Sequence, residues 1–326
     1  MVTASTLETT EAVSVGAKIE KAGGLCVPAK IFSELVSSLP QDTVTLEEKE
    51  GAVLVSCGGV RASIAGVAAG EFPLVGRPAA KKEISLEKEK LVSVLSLILF
   101  AASTDEGRPL LTGAKITQKE GGAVFAATDG YRLSVYRSAL AFPRETDLVI
   151  PGRALGEIVR VCQEEKEVKE VLLSDAGDGQ LVVRAGDTTI ITRRIDGEYP
   201  NFEKIIPSRH TTSATLDVVQ LTKAVKSASI FARDSANIVR LHSEKGLVTI
   251  SANTPQVGEN TIEVDAKTEG EEGDIAFNGR FLLELLSNFP GDELVFEMTG
   301  ALNPGAFTSP RDPAFLHIIM PVRVQN

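Results

Sequence analysis

Tryptophan is absent from this 326-residue chain, and tyrosine, histidine and cysteine occur three times each. So few aromatics suit poorly a protein that stacks single-stranded bases on exposed rings. Cys26, Cys57 and Cys162 sit in apolar patterns with no CxxC or paired spacing, which reads as buried free thiols in a reducing compartment. His210, His242 and His317 lack HxxxH or HExxH spacing, and glycine-rich pieces such as Cys57-Gly58-Gly59 lack the lysine and helix of a phosphate loop, so neither metal nor cofactor is expected. There is no run of about 18 apolar residues, and Met1 to Glu20 lacks the apolar core of a signal peptide. The expectation is a cytoplasmic protein with no membrane partner. A net charge of −10 excludes a uniformly basic coat but allows a basic stripe on an acidic body.

What is present is repetition. Leu148-Val149-Ile150-Pro151-Gly152-Arg153 is a strand breaking into a helix at a proline, and the segment closes at Gly197-Glu198-Tyr199-Pro200. The same order runs from Leu25-Cys26-Val27-Pro28-Ala29-Lys30 to Gly70-Glu71-Phe72-Pro73, and starts again at Ile275-Ala276-Phe277-Asn278-Gly279-Arg280. Phe32, Leu35, Val36 and Leu39 correspond to Leu155, Ile158, Val159 and Cys162, then to Leu282, Leu285, Leu286 and Phe289, at shifts of 123 and 127 residues. Each set is spaced i, i+3, i+4, i+7, one apolar stripe on a helix. Three related domains are expected.

A second kind of half-unit starts at Ile84, with Ser85 as helix cap and Leu91, Val94, Leu95 and Ile98 as stripe; strands are expected at Leu110 to Gln118, Ala123 to Thr128 and Tyr131 to Ser138. It recurs as helix Asp217 to Ala232, followed by strands Ile238 to Ser243, Leu247 to Asn253 and Asn260 to Val264. The division is therefore 1–82, 83–207 and 208–326, with Leu74 to Lys82 as the first connection. The first domain has its second half and one strand before it, Ala12 to Ile19; relative to the repeat, roughly 40 to 50 residues including a leading helix are missing.

The charges fixed by the repeat carry information. Lys30, Arg153 and Arg280 occupy one equivalent position in the first helical turn, where a cation opposes the macrodipole and helix stability would not select it. Arg160 lies two turns beyond Arg153 on the same face, and Lys90, Lys223 and Lys226 lie off the apolar stripes. Taken singly these are solvated cations; as a set they suit loose phosphate-backbone contact with duplex DNA, which carries no sequence information. Few contacts without stacking mean weak grip, so retention on DNA requires enclosure. Asp129 and Asp196 each precede glycine and read as turn residues, and nothing forms a convincing catalytic set.

Ala127-Thr128-Asp129-Gly130-Tyr131-Arg132-Leu133, Ile195-Asp196-Gly197-Glu198-Tyr199-Pro200, Phe277-Asn278 and Ile319-Met320-Pro321-Val322-Arg323-Val324 together resemble the bacterial DNA polymerase III β subunit family, the β sliding clamps. The resemblance covers essentially the whole chain in order. It implies an α+β fold of repeated clamp domains, helices inside and antiparallel sheets outside, two complete and one partial. It further implies a non-enzymatic processivity factor, loaded by an ATP-dependent clamp loader, whose two protomers close head to tail around duplex DNA.

The family also docks short peptides of replicative polymerase, clamp loader and repair factors in an outer groove. By matched motif, Leu111, Thr128, Gly130, Tyr131, Arg132, Leu133, Pro200, Lys204, Ile205, Asn278, Phe281, Leu302, Pro304, Ile318, Met320, Pro321, Val322 and Arg323 form that groove here. Tyr131 stands where the family often has histidine and Lys204 where it often has arginine, so peptide preference is expected to differ. Ile230 and Phe231 match the self-association surface, although their own pattern reads as core. The short first domain is expected to weaken self-association or to leave that domain partly unfolded. Two rivals stay open: a peptide-docking scaffold that does not encircle DNA, and a hydrolase using scattered carboxylates.

Overall fold

The computed structural model describes residues 1–72, 83–233, 236–255 and 258–323. The connection Leu74 to Lys82 and Val324 lie outside them. Five α-helices are described: α1 (Ala29–Ser38), α2 (Lys88–Ile98), α3 (Gly152–Glu164), α4 (Val218–Ala232) and α5 (Gly279–Ser287). Pro28 and Pro151 stand at the N-caps of α1 and α3, where a missing N–H costs no helical bond. Asp217 and Asn278 cap α4 and α5 by accepting from the backbone N–H of Gln220 at 2.8 Å and of Arg280 at 2.9 Å.

Two antiparallel sheets carry most of the strands. One has twelve, in the spatial order Asp147–Pro151, Gly113–Lys119, Gly122–Thr128, Arg132–Ser138, Phe315–Ile319, Gly305–Thr308, Glu293–Met298, Thr212–Asp217, Gly258–Gly270, Leu247–Thr254, Ile238–Glu244, Gly273–Asn278. The other has six: Val2–Ser5, Thr9–Val13, Thr188–Arg193, Gln180–Ala185, Glu170–Gly177, Glu83–Glu87. Each sheet runs across a junction between repeats, and the two junctions share one register. Glu11 faces Ile190 at the first, and Ser134 faces His317, the positions 123 and 127 residues further on, at the second.

The helices pack pairwise, α2 on α3 and α4 on α5. One large core joins Leu91, Leu95 and Ile98 of α2 to Leu155, Ile158 and Cys162 of α3 over the strands beneath. The other joins Leu221 and Val225 of α4 to Leu282 and Leu285 of α5, and takes in Leu97 from the end of α2. The two helix pairs pack on the sheets, and Leu97 brings the end of α2 to the α4–α5 core. α1 has no comparable partner and no buried residue; Ile31 and Val36 on it are exposed. Among the described residues of the strands below it, only Val55, Cys57 and Ile64 are buried.

Several expectations are corrected. The strand expected at Ala12 to Ile19 is a hairpin of two strands, Val2–Ser5 and Thr9–Val13, because Thr9–Val13 finds its hydrogen-bond partner in Thr188–Arg193. The first unit therefore keeps two strands of its leading half, one more than expected. Ser85 caps nothing: Leu86 is buried and Ile84 half-buried, a period-two pattern that carries Glu83–Glu87 as a strand and leaves Glu87 at the cap. Pro109 opens a 3-10 turn, Pro109–Thr112, so the next strand starts at Gly113. Gly258–Gly270 outruns its expected span because it pairs first with Leu247–Thr254 and then with Thr212–Asp217, its acidic side chains facing water. Cys26 is half-buried, unlike Cys57 and Cys162.

Phe277, wholly buried, meets Phe296 and Phe307 edge-on at 6.0 and 5.7 Å, and a side chain at Gly305 would strike its ring. Phe277→Ala is expected to lower unfolding free energy by about 3–5 kcal/mol, measured by urea denaturation; a loss below about 1 kcal/mol would show that this cluster does not organise the core.

Candidate DNA-facing helices and peptide groove

Lys30, Arg153 and Arg280 each stand second in their helix, and none of these three helices has an acid in its first turn. All three side chains are exposed. Lys30 reaches Glu34 only at 4.0 Å, and Arg153 meets Glu106 at 2.9 Å between two solvated side chains, an arrangement that holds either cation weakly. Lys90 pairs with Glu87 at 2.6 Å, and Lys223 and Lys226 project from α4 into water. Arg160 is different. Its guanidinium is shared by Glu157, Glu164 and Glu11 at 2.7 to 3.0 Å, which raises its pKa further and ties α3 to the N-terminal hairpin. Three carboxylates around one guanidinium leave little positive field for a phosphate.

The candidate groove residues centre on the turn 128–132. Thr128 Oγ1 donates to the Arg132 carbonyl at 2.6 Å, and Asp129 Oδ1 accepts from the N–H groups of Tyr131 and Arg132 at 2.8 and 3.0 Å. Gly130, at φ +92°, lets the chain reverse so that Tyr131 stands 59% exposed. The tail then crosses this turn: Met320 N–H donates to the Tyr131 carbonyl and Val322 N–H to the Ala276 carbonyl, both at 2.8 Å. Gly305 pairs with Ile319, which brings Pro304 beside Met320. The 3-10 turn Phe202–Ile205 closes the near side, Phe202 and Ile206 packing on Ala126, Leu133, Val135, Ala306 and Ile318. Tyr131, Ile205, Leu302 and Met320 are exposed apolar side chains on the turn, the 3-10 segment, the loop before Gly305 and the tail that these contacts bring together.

Not every expected groove residue can touch a ligand. Leu133 and Ile318 have no exposed surface and pack in the small core beneath the turn, while Arg132 is 7% exposed. Leu111 is buried in the turn Pro109–Thr112, whereas Pro200, Lys204 and Arg323 are exposed at the rim; Thr128 is buried, and Asn278, Phe281, Pro321 and Val322 are half-buried. The tail is not an edge: Phe315–Ile319 lies between Arg132–Ser138 and Gly305–Thr308. Ile230, which reads as core by pattern, is 56% exposed, and Phe231 is half-buried against the α4–α5 core.

Comparison with known proteins decides the family. The model for the DNA polymerase III beta subunit, central domain, matches residues 85–201, and that for its C-terminal domain matches 203–323. A beta sliding clamp of Synechococcus elongatus is 30% identical over 320 residues, covering 96% of this chain and 85% of that one. The chain belongs to the β sliding clamp family. A Bacillus subtilis beta sliding clamp is 29% identical over 94% of this chain and 82% of its own. The crystal structure of the Bacillus subtilis sliding clamp superposes at a TM-score of 0.89, with 27% identity, over 99% of this chain and 88% of that one. The DNA polymerase III beta subunit of Thermotoga maritima superposes at 0.92 with 22% identity, over the same shares, and speaks to fold. The function is that of a DNA sliding clamp, a replication processivity factor with no enzymatic step.

The clamp's acids fit that function. Asp129 caps the groove turn, and Asp196, exposed, meets Arg194 at 3.3 Å, so the two carboxylates have structural duties and the hydrolase reading is dropped. Among the described residues no cluster of His, Cys, Asp or Glu could hold a metal, and no helix is long and apolar enough to cross a membrane. Residue patterns did not place Phe100, Phe202 and Glu284 beside the turn 128–132, because each belongs by spacing to its own helix or turn and meets it only in the folded chain, Glu284 across the junction.

Two outcomes test this geometry in the clamp. Arg160→Ala is expected to speed amide exchange across Thr9–Val13 while leaving the salt dependence of DNA retention unchanged; a drop of about 0.9 in the salt slope would return Arg160 to the phosphate-facing set. His317 is wholly buried at the second junction, its Nδ1 2.7 Å from Ser134 Oγ, and burial, helped by the nearby Arg132 charge, lowers its pKa from 6.5 to about 3. Below pH 6.5 the unfolded chain binds a proton that the folded one refuses, so stability is expected to fall as pH drops from about 6.5 toward 3. His317→Phe should flatten that part of a pH series of chemical denaturations.

Proposed function

We propose that two copies close head to tail into a ring around duplex DNA and hold the replicative DNA polymerase there by topology. In this reading the chain divides as 1–82, 83–207 and 208–326, works in the cytoplasm and is placed on DNA by a clamp loader. Lys30, Lys90, Arg153, Lys223, Lys226 and Arg280 contact phosphate without reading bases, and Arg160 is left out because Glu11, Glu157 and Glu164 occupy it. The observation that supports the reading is the threefold placement of an exposed cation at the second helical position, two of the three on α3 and α5, which pack over the continuous sheets. Such contacts are screened by salt and weak enough to slide.

Around Tyr131, Ile205, Leu302 and Met320 the surface is apolar with a polar rim, which suits the hydrophobic end of a short linear peptide from polymerase, clamp loader or repair factor. Ile230 and Phe231 supply apolar surface for the partner protomer. A second reading, a docking scaffold that does not close around DNA, is favoured by one observation: α1 has no buried residue, so the first unit offers a thin base for ring closure.

Retention separates the two. A ring is expected to stay on nicked circular DNA and to run off the same DNA once linearised; equal retention on both would sink the topological reading. Replacing Lys30, Arg153 and Arg280 together by alanine should lower the salt slope by about 0.9 for each phosphate no longer neutralised.

A further inference from the structure

The charged residue beside the candidate groove is held from three directions. Arg132 Nε donates to Asp129 Oδ2 at 3.1 Å, Nη2 donates to the Phe100 carbonyl at 2.6 Å, and Nη1, which has no hydrogen bond of its own, lies 2.5 Å from Glu284 Oε2 as an ion pair. Its plane lies 4.6 Å over the Phe281 ring, with the Phe100 ring 5.7 Å away on another side. Asp129 and Phe100 belong to the central domain, whereas Phe281 and Glu284 belong to α5 of the C-terminal domain. One side chain therefore spans the junction between the groove's two walls.

Lysine could not do this. The contacts use separate nitrogens of a planar fork and both aromatic neighbours, which a single ammonium cannot reproduce. Glu284 lies one turn beyond Arg280 on α5, a spacing at which the two commonly pair, yet no ion pair joins them among the described residues and Glu284 turns to Arg132 instead. The carboxylate is thereby committed to the junction, and Arg280 is left facing water.

We propose that Arg132 is a positioning residue for peptide docking: without touching the peptide, it sets the separation of the walls through Glu284. This rests on the groove reading above. It follows that Glu284, outside the groove and partly exposed on α5, controls peptide affinity. Removing the ion-pair partner of a buried charge is costly to the arrangement it holds, and here that arrangement is the fit between Tyr131 on one wall and Phe281 on the other.

The test uses the full chain and a fluorescein-labelled pentapeptide with two large apolar residues at its C-terminal end, followed by anisotropy with wild type, Glu284→Gln, Glu284→Asp, Arg132→Lys and the Arg132→Lys, Glu284→Gln double variant. The expected result is that Glu284→Gln weakens binding about tenfold with its circular dichroism unchanged. Glu284→Asp, which keeps the carboxylate, should recover affinity toward wild type, and the double variant should bind no worse than Arg132→Lys alone. Wild-type affinity in Glu284→Gln, or losses that add in the double variant, would overturn the positioning role while leaving the groove reading in place. Failure of the wild type itself to bind the peptide would overturn the groove reading and this inference with it.

Discussion

Strand pairing across the junctions is the constraint on which the remaining architecture depends. Arg132–Ser138 against Phe315–Ile319, and Thr9–Val13 against Thr188–Arg193, turn separate antiparallel units into continuous sheets. A ladder of backbone hydrogen bonds sets the strand spacing to within tenths of an ångström. It therefore fixes the angle between neighbouring units far more tightly than a patch of side chains would. Both junctions use one register, so equivalent residues face each other at each.

Side chains then complete each junction in different ways. At the second, His317 sits among Phe100, Phe307 and Phe315 with no exposure, and Arg132 reaches from the central domain to α5. This is a desolvated junction, and its charges count because little water competes for them. At the first, Arg160 and three glutamates form a half-exposed network over the hairpin, where solvent screens each pair. The second junction is accordingly the stiffer, and it is the one that bears the groove.

Charge is used sparingly in the helix layer. On an acidic chain the fully solvated cations Lys30, Arg153 and Arg280 stand where helix dipoles disfavour them, while Arg160, two turns along from Arg153, is absorbed by carboxylates. The distinction is invisible in spacing. Arg153 and Arg160 look alike along α3, and only the placement of Glu11, some 150 residues earlier in the chain, separates them.

What the sequence determined by itself was whatever depends on local periodicity and on repetition: five helices with their stripes, the order of the half-units, the equivalent cations and the turn at Asp129-Gly130. Those signals are short-range, written in the spacing of neighbours along the chain. Only the tertiary structure decided that Thr9–Val13 is a strand, that Ser85 is not a cap, that Leu133 and Ile318 are buried beneath the turn, and that Ile230 lies outside the core. Each of these turns on a partner far along the chain, or on which side of an element another element covers. Hydrogen bonding and burial across such distances leave no period for a reader of the chain to find.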